Sequence, residues 1–297
     1  MLGSKQKCTL FIIFYLLSAV AVFLAWAPVK SVLTDPRIDL YYTHIPIIPL
    51  VSAFLLFRKR KLIFSGTHPA VLPGALLAIV GLCLYLIPNL NKIETSYSAT
   101  LQVFSAILFW AGTYLGLFGF KSLKRGLFPV LFLLFAVPAP APIMDRVVLL
   151  IAGASVYVTG EVFTVLQVPF IREGVTFYLP AYTLVVGPEC AGWRSSLALI
   201  ILSLLAGHLF LKRLSNKILL VVVSIPVIII KNAVRIVLLY YIAYYLDERF
   251  MESGFLHRSV GYFMFGLVLL FMGFLLWSLE KKETPRKAAL NPKILKA

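Results

Sequence analysis

Long apolar runs separated by short polar or basic segments set the pattern of this chain. A helix needs about 20 apolar residues to cross a bilayer. Runs of roughly that kind fall at 9–29, 39–57, 71–90, 99–120, 122–138, 193–211, 217–246 and 257–279. The fifth is the weakest, because Arg125 lies near its start and only Gly126 to Pro138 is cleanly apolar. These runs predict an all-α polytopic membrane protein with about eight transmembrane helices. The stretch 139–191 breaks the pattern. Residues 143–168 are helix-compatible but interrupted by Asp145, Arg146 and Glu161, and they predict a helix lying in the interface or dipping partway into it. Residues 175–179 and 182–186 alternate as two short strands around Pro180-Ala181, a short β-hairpin. An open hairpin facing lipid would leave backbone groups unpaired, so it belongs at the outer membrane surface, just before Cys190.

Composition agrees. The 297 residues are 61% hydrophobic, with a mean hydropathy of +0.94, against about 45–50% apolar in a soluble domain. The net charge of +16 implies no nucleic acid here, because the cations cluster between apolar runs. Lys5 and Lys7 precede the first run. Residues 58–61 follow the second, Lys121, Lys124 and Arg125 the fourth, Lys212, Arg213 and Lys217 the sixth, and a basic tail the eighth. These clusters hold 18 of the 28 Lys and Arg, against seven in the opposite loops. The bias predicts a cell-membrane protein with eight crossings and both termini in the cytoplasm. Treating 143–168 as a full span would reverse every later loop. The first run resembles a signal peptide, with Ala25-Trp26-Ala27 as its cleavage site, but Pro28 argues for a retained helix.

The three cysteines, Cys8, Cys83 and Cys190, form neither a disulfide framework nor a metal spacing, so no metal and no cofactor is expected. Cys8 and Cys83 read as small apolar fillers. Ionisable groups inside a membrane domain are costly and mark function by default. Three stretches carry them: Gly187 to Arg194, Lys231 to Arg235, and Leu256-His257-Arg258. Cys190 precedes a span running inward. Arg235 lies 18 residues past Lys217, about 27 Å along a helix. His257 opens the last span. All three therefore belong near the outer face.

A thiol, an imidazole and a guanidinium at one depth suit acyl transfer. A thiolate at a helix start is favoured by the dipole and free N–H groups. Histidine moves the proton, and arginine stabilises an oxyanion. Arg194, four residues after Cys190, is placed to hold a thiolate or bind a substrate carbonyl. Asn232 shares a face with Arg235 and is placed to orient it, and Lys231 extends the same polar stripe. The blander readings stay open: a packed cysteine, a snorkelling arginine and a structural histidine. His44, at the start of the second run, is the rival base, whereas His68 and His208 fall nearer the inside.

The motifs resemble a known family. Glu189-Cys190-Ala191-Gly192-Trp193-Arg194 resembles the Cys-Ser/Thr-Gly-x-Arg element of the exosortase/archaeosortase family, Asn232-Ala233-Val234-Arg235-Ile236 resembles its Asn-x-x-Arg-Ile element, and His257 at the head of a final helix resembles its third. The resemblance covers about residues 125–275. It implies a membrane-embedded, sortase-like cysteine transpeptidase with Cys190, Arg235 and His257 as catalytic residues. It also implies substrates that are exported proteins carrying a C-terminal sorting signal of motif, transmembrane helix and basic tail, and an amine acceptor on a lipid or surface glycan. Organisation then reads as 1–121, an N-terminal four-helix membrane region; 122–280, the catalytic membrane core; and 281–297, a basic cytoplasmic tail. Two departures stand out: Ala191 replaces the usual hydroxyl residue, and Arg258 is an alternative to His257. The competing class is a non-enzymatic permease or assembly factor for exopolysaccharide export, in which Arg235 and Lys231 would line a pathway. A serine or metal intramembrane protease is disfavoured, since neither a GxSxG nor an HExxH pattern occurs.

Overall fold

The computed structural model describes residues 4–35, 39–91, 95–180, 183–187, 192–245 and 255–283. They form two compact units, Met1–Met144 and Asp145–Ala297. Among the described residues, seven helices are long and apolar enough to cross a membrane. Their large side chains stay exposed in a way only lipid would satisfy; Phe23, for example, is 78% exposed.

In the first unit, α1 (Ser4–Thr34) packs on α6 (Thr95–Arg125), and α5 (Val71–Asn91) pairs with α6 along small residues. A Cβ added at Gly74 would stand 2.3 Å from Gly116, so this crossing requires glycine-sized contacts. An aromatic cluster of Phe14, Tyr114 and Phe118 joins α1 to α6.

The runs at 39–57 and 122–138 are broken rather than continuous. The first becomes α2 (Asp39–Tyr42), α3 (Ile47–Arg58) and α4 (Arg60–Ile63). Pro46 stands at the α3 N-cap, where a missing N–H costs nothing. The second becomes α7 (Leu127–Phe132) and a 3-10 turn (Leu133–Ala136), which ends where Val137 is held extended before Pro138. Polar side chains bond the carbonyls of this second segment. The Ser52 hydroxyl donates to Pro129, the His44 imidazole bonds Phe135, and Tyr42 and Thr100 donate to Ala139 and Pro138. Their order, 42 to 139 and 52 to 129, makes the two broken segments antiparallel. Each alone is shorter than a span, and irregular backbone at membrane depth survives only where protein satisfies it.

The second unit holds α8 (Ala141–Val165), α9 (Trp193–Phe210), α10 (Leu214–Tyr245), α11 (Phe255–Glu283) and a small sheet. The segment expected as an interfacial helix is here a continuous helix of 25 residues, among the seven able to cross. Of its interrupting charges, Asp145 and Arg146 fall in its first turns and Glu161 near its end. The expected hairpin is present as β2 (Thr176–Tyr178) antiparallel to β3 (Thr183–Val185). Residues 181–182 of its turn lie outside the described residues. A third strand, β1 (Ile171–Glu173), pairs with β2 through the two-residue turn Gly174-Val175, with Gly174 at φ 60. The sheet's buried face, Phe177 and Leu184, packs on Phe163 of α8 and on Ile236 and Tyr240 of α10.

Each unit gathers its basic clusters at one end. The Arg125 guanidinium donates to the carbonyls of Leu62 and Ser65, bringing the 121–125 cluster to the 58–61 cluster. The Glu283 carboxylate accepts from the backbone N–H groups of Lys212 and Arg213 and from Asn216, bringing the end of α11 to the α9–α10 loop.

Candidate active site

The site is built on the middle of α10. Lys231 and Asn232 are buried there, at 6% and 0% exposure, although α10 is otherwise a largely apolar helix. Lys231 and Arg235 are one turn apart and share a face. What makes room for these groups is the start of α9.

Gly192 caps α9 in the left-handed region, at φ 60 and ψ 34. Its carbonyl accepts from the Ser196 N–H at 3.0 Å and from both the Ser195 and Ser196 hydroxyls at 2.9 Å. A side chain there would be strained by backbone geometry. It would also collide, since a Cβ would stand 2.7 Å from Asn232 Oδ1 and 3.3 Å from Lys231 Nζ. The turn that leads out of Cys190 is therefore pressed directly onto the polar stretch of α10. The Lys231 ammonium donates to the Ser195 hydroxyl, tying the two helices together at that point.

The same stretch meets α11. The Arg235 guanidinium lies against Gly261, with Nε 3.7 Å and Cζ 3.9 Å from where a Cβ would stand. Gly261 follows His257 by one helical turn, on the same face of α11. Two glycines, two residues after Cys190 and four after His257, thus rest on one five-residue stretch of α10. The α9 helix has 18 residues, so Gly192 stands about 27 Å from the basic α9–α10 loop. That is close to the thickness of a hydrocarbon core.

The expected site residues divide as follows. Arg235 and Asn232 meet their neighbours as above, with Asn232 facing Gly192. Arg194 is exposed. Cys190 and Glu189 lie outside the described residues, as do the side chains of His257 and Arg258. His44 is committed to the Phe135 carbonyl in the first unit, a structural bond that accounts for it. Ser195 and Ser196 were not singled out from sequence. A hydroxyl three or four residues after a glycine cap is their only signal, and it is a common one.

A profile describing the transmembrane exosortase family matches residues 36–274, most of the chain and all three motif-bearing stretches. The chain belongs to the transmembrane exosortase family. Comparison with curated proteins and with solved structures gives no match. Within this exosortase family member, the match runs through the broken helices of the first unit as well as the polar stretch of α10. The family's shared sequence is therefore wider than the 125–275 region that carries the motif resemblance.

Proposed function

We infer that the protein is a cysteine transpeptidase that removes a C-terminal sorting signal from exported proteins at the outer face of the membrane. One observation carries the reading: Gly192 and Gly261, chain neighbours of Cys190 and His257, both rest on the Lys231–Arg235 stretch. A permease would have no need to bring the turn that follows Cys190 and the helical turn that follows His257 onto one five-residue polar stretch. In this reading α8 does not change the side of the later loops, so the basic loops at one end of each unit, and with them both termini, stay in the cytoplasm.

In this reading His257 takes the Cys190 proton, and the thiolate attacks the scissile carbonyl carbon. Arg235 stabilises the oxyanion by charge-assisted hydrogen bonds. As the C–N bond breaks, His257 returns its proton to the leaving amine, and the tail, with its transmembrane helix, departs. An acceptor amine, of a lipid or surface glycan, then attacks the thioester, gives its proton to His257 and releases the Cys190 thiolate, which regains it. Every proton and bond is accounted for without a cofactor. Asn232 and Arg194 act around this centre, Asn232 by holding Gly192 and Arg194 by binding substrate from its exposed position.

The test is processing of an exported protein with a motif–helix–basic tail, co-expressed with the enzyme. Cys190→Ala should leave the substrate full-length. Normal cleavage by that variant would reject the reading.

A further inference from the structure

The basic end of the first unit is fastened together, which orientation alone does not require. Residues 58–61 supply four consecutive cations, and Lys121, Lys124 and Arg125 supply three more. The Arg125 guanidinium donates to the Leu62 carbonyl at 2.8 Å, and to the Ser65 carbonyl and hydroxyl at 2.8 and 2.7 Å. The Lys121 ammonium lies over the turn at Gly66, 3.9 Å from where a Cβ would stand. Helix α6 bends at Gly119, φ 78, and the His68 carbonyl fills the place a side chain would take there. Only glycine suits that position. The 65–70 loop thereby seats on the bend, with the Ala70 N–H bonded to the Gly116 carbonyl. Cations held within a Debye length, about 8–10 Å, repel one another. The surrounding chain adds no acid, since residues 40–93 and 95–144 contain neither Asp nor Glu. The acids of the unit are Asp35, Asp39 and Glu94. The 31 residues of α6, about 45 Å, separate Glu94 from Arg125.

We propose that the joined clusters bind the phosphate headgroup of an anionic phospholipid at the basic face of the membrane. Charge complementarity calls for an anion, and the adjoining surface selects a lipid over an acidic protein segment. Phe57, Leu62 and Phe120 are 61%, 59% and 61% exposed, and each is the chain neighbour of a cation. The Arg60 guanidinium lies 3.9 Å over the Phe57 ring and donates to the Phe57 carbonyl, which holds a cation at the boundary of the apolar surface. A phospholipid matches both parts. Its phosphate meets ammonium and guanidinium groups, and its acyl chains cover the exposed rings and leucine. Arg58, Lys61, Lys121 and Lys124 are exposed, so the headgroup reaches them without displacing any buried group. The site lies wholly in the first unit and does not depend on the transpeptidase reading.

The test is native mass spectrometry of the full-length protein in detergent, titrated with phosphatidylglycerol or with phosphatidylcholine of the same acyl chains. Phosphatidylglycerol should bind about tenfold more tightly. Lys61→Gln, Lys121→Gln and Lys124→Gln combined, all at exposed positions, should abolish that preference and leave phosphatidylcholine binding unchanged. Lys212→Gln, Arg213→Gln and Lys217→Gln remove as much charge from the second unit and should keep the preference. Arg125→Gln and Lys124→Gln each remove one charge, but only the first unfastens the clusters. It should therefore weaken phosphatidylglycerol binding more than Lys124→Gln does. Should Arg125→Gln fail to fold, the two triple variants decide. Equal loss of preference in both would mean diffuse attraction to any basic surface and would overturn the proposal, as would equal binding of the two lipids by the parent. Glycerol 3-phosphate in excess should leave the bound lipid in place. Full displacement would make the ligand a soluble phosphate and overturn the assignment to lipid.

Discussion

At the scale of single residues, the site depends on one position that sequence reading passed over as part of a motif. Gly192 is constrained twice, by its left-handed backbone and by Asn232 and Lys231 beside it. Gly192→Ala should cost about 1–2 kcal/mol from the backbone alone. The contact at 2.7 Å adds displacement of the turn that carries Cys190. The expected outcome is folded protein whose substrate processing falls at least tenfold, measured as the cleavage rate of a co-expressed substrate. An alanine there with unchanged processing would mean that the turn is not part of the site. The sequence made Cys190, Arg235 and His257 candidates because a thiol, a guanidinium and an imidazole are rare at membrane depth. It did not make the Lys231–Ser195 bond visible. Helical spacing says which residues share a face of one helix, but not which residue of another helix fills the gap opposite.

At the scale of elements, continuous apolar helices were the easiest to read and broken ones the hardest. Hydropathy counts residues, whereas the chain at 39–63 is divided by Pro46 and by the Thr43–Pro46 turn. The strand β1 was missed because Ile171-Arg172-Glu173 has one apolar residue and no alternation. It pairs because Gly174 permits a two-residue turn, and all three of its residues stay exposed. Glu283, the last residue of α11, shows how elements are fastened at the basic end. Its carboxylate answers the backbone N–H groups of Lys212 and Arg213, just before the first turn of α10, and the Asn216 amide within that turn. This is a helix cap supplied from a distant element. Glu283→Gln keeps the shape but removes the charge that strengthens those bonds. The loss should be about 1 kcal/mol, the size of a helix cap. It should appear as a lower thermal midpoint in detergent, with no change in the pH dependence of Cys190 alkylation. A shift in that pH dependence would instead mean that the α9–α10 loop controls the site about 27 Å away.

At the scale of the whole molecule, orientation decides whether the chemistry has a substrate. Exported proteins present their tails to an outer-face site only if the basic loops lie inside. Hydrogen bonds bring the clusters together within each unit, Arg125 to Leu62 and Ser65 in one, Glu283 to Lys212 and Arg213 in the other. A cluster of like charge is costly to translocate, and two fastened together more so, which argues that each fastened end stays in the cytoplasm. The sheet, on the part of α10 beyond the level of Gly192, should then face outward. Single cysteines test this in intact cells with a membrane-impermeant maleimide, after replacing the three native cysteines. Thr183→Cys, on the exposed face of β3, should label from outside. Thr67→Cys and Ser215→Cys, beside the basic clusters, should label only after the membrane is opened. The reverse pattern would put the α10 polar stretch near the cytoplasmic face. Sorting-signal cleavage of exported proteins would then be untenable, however well the family profile covers the three motifs.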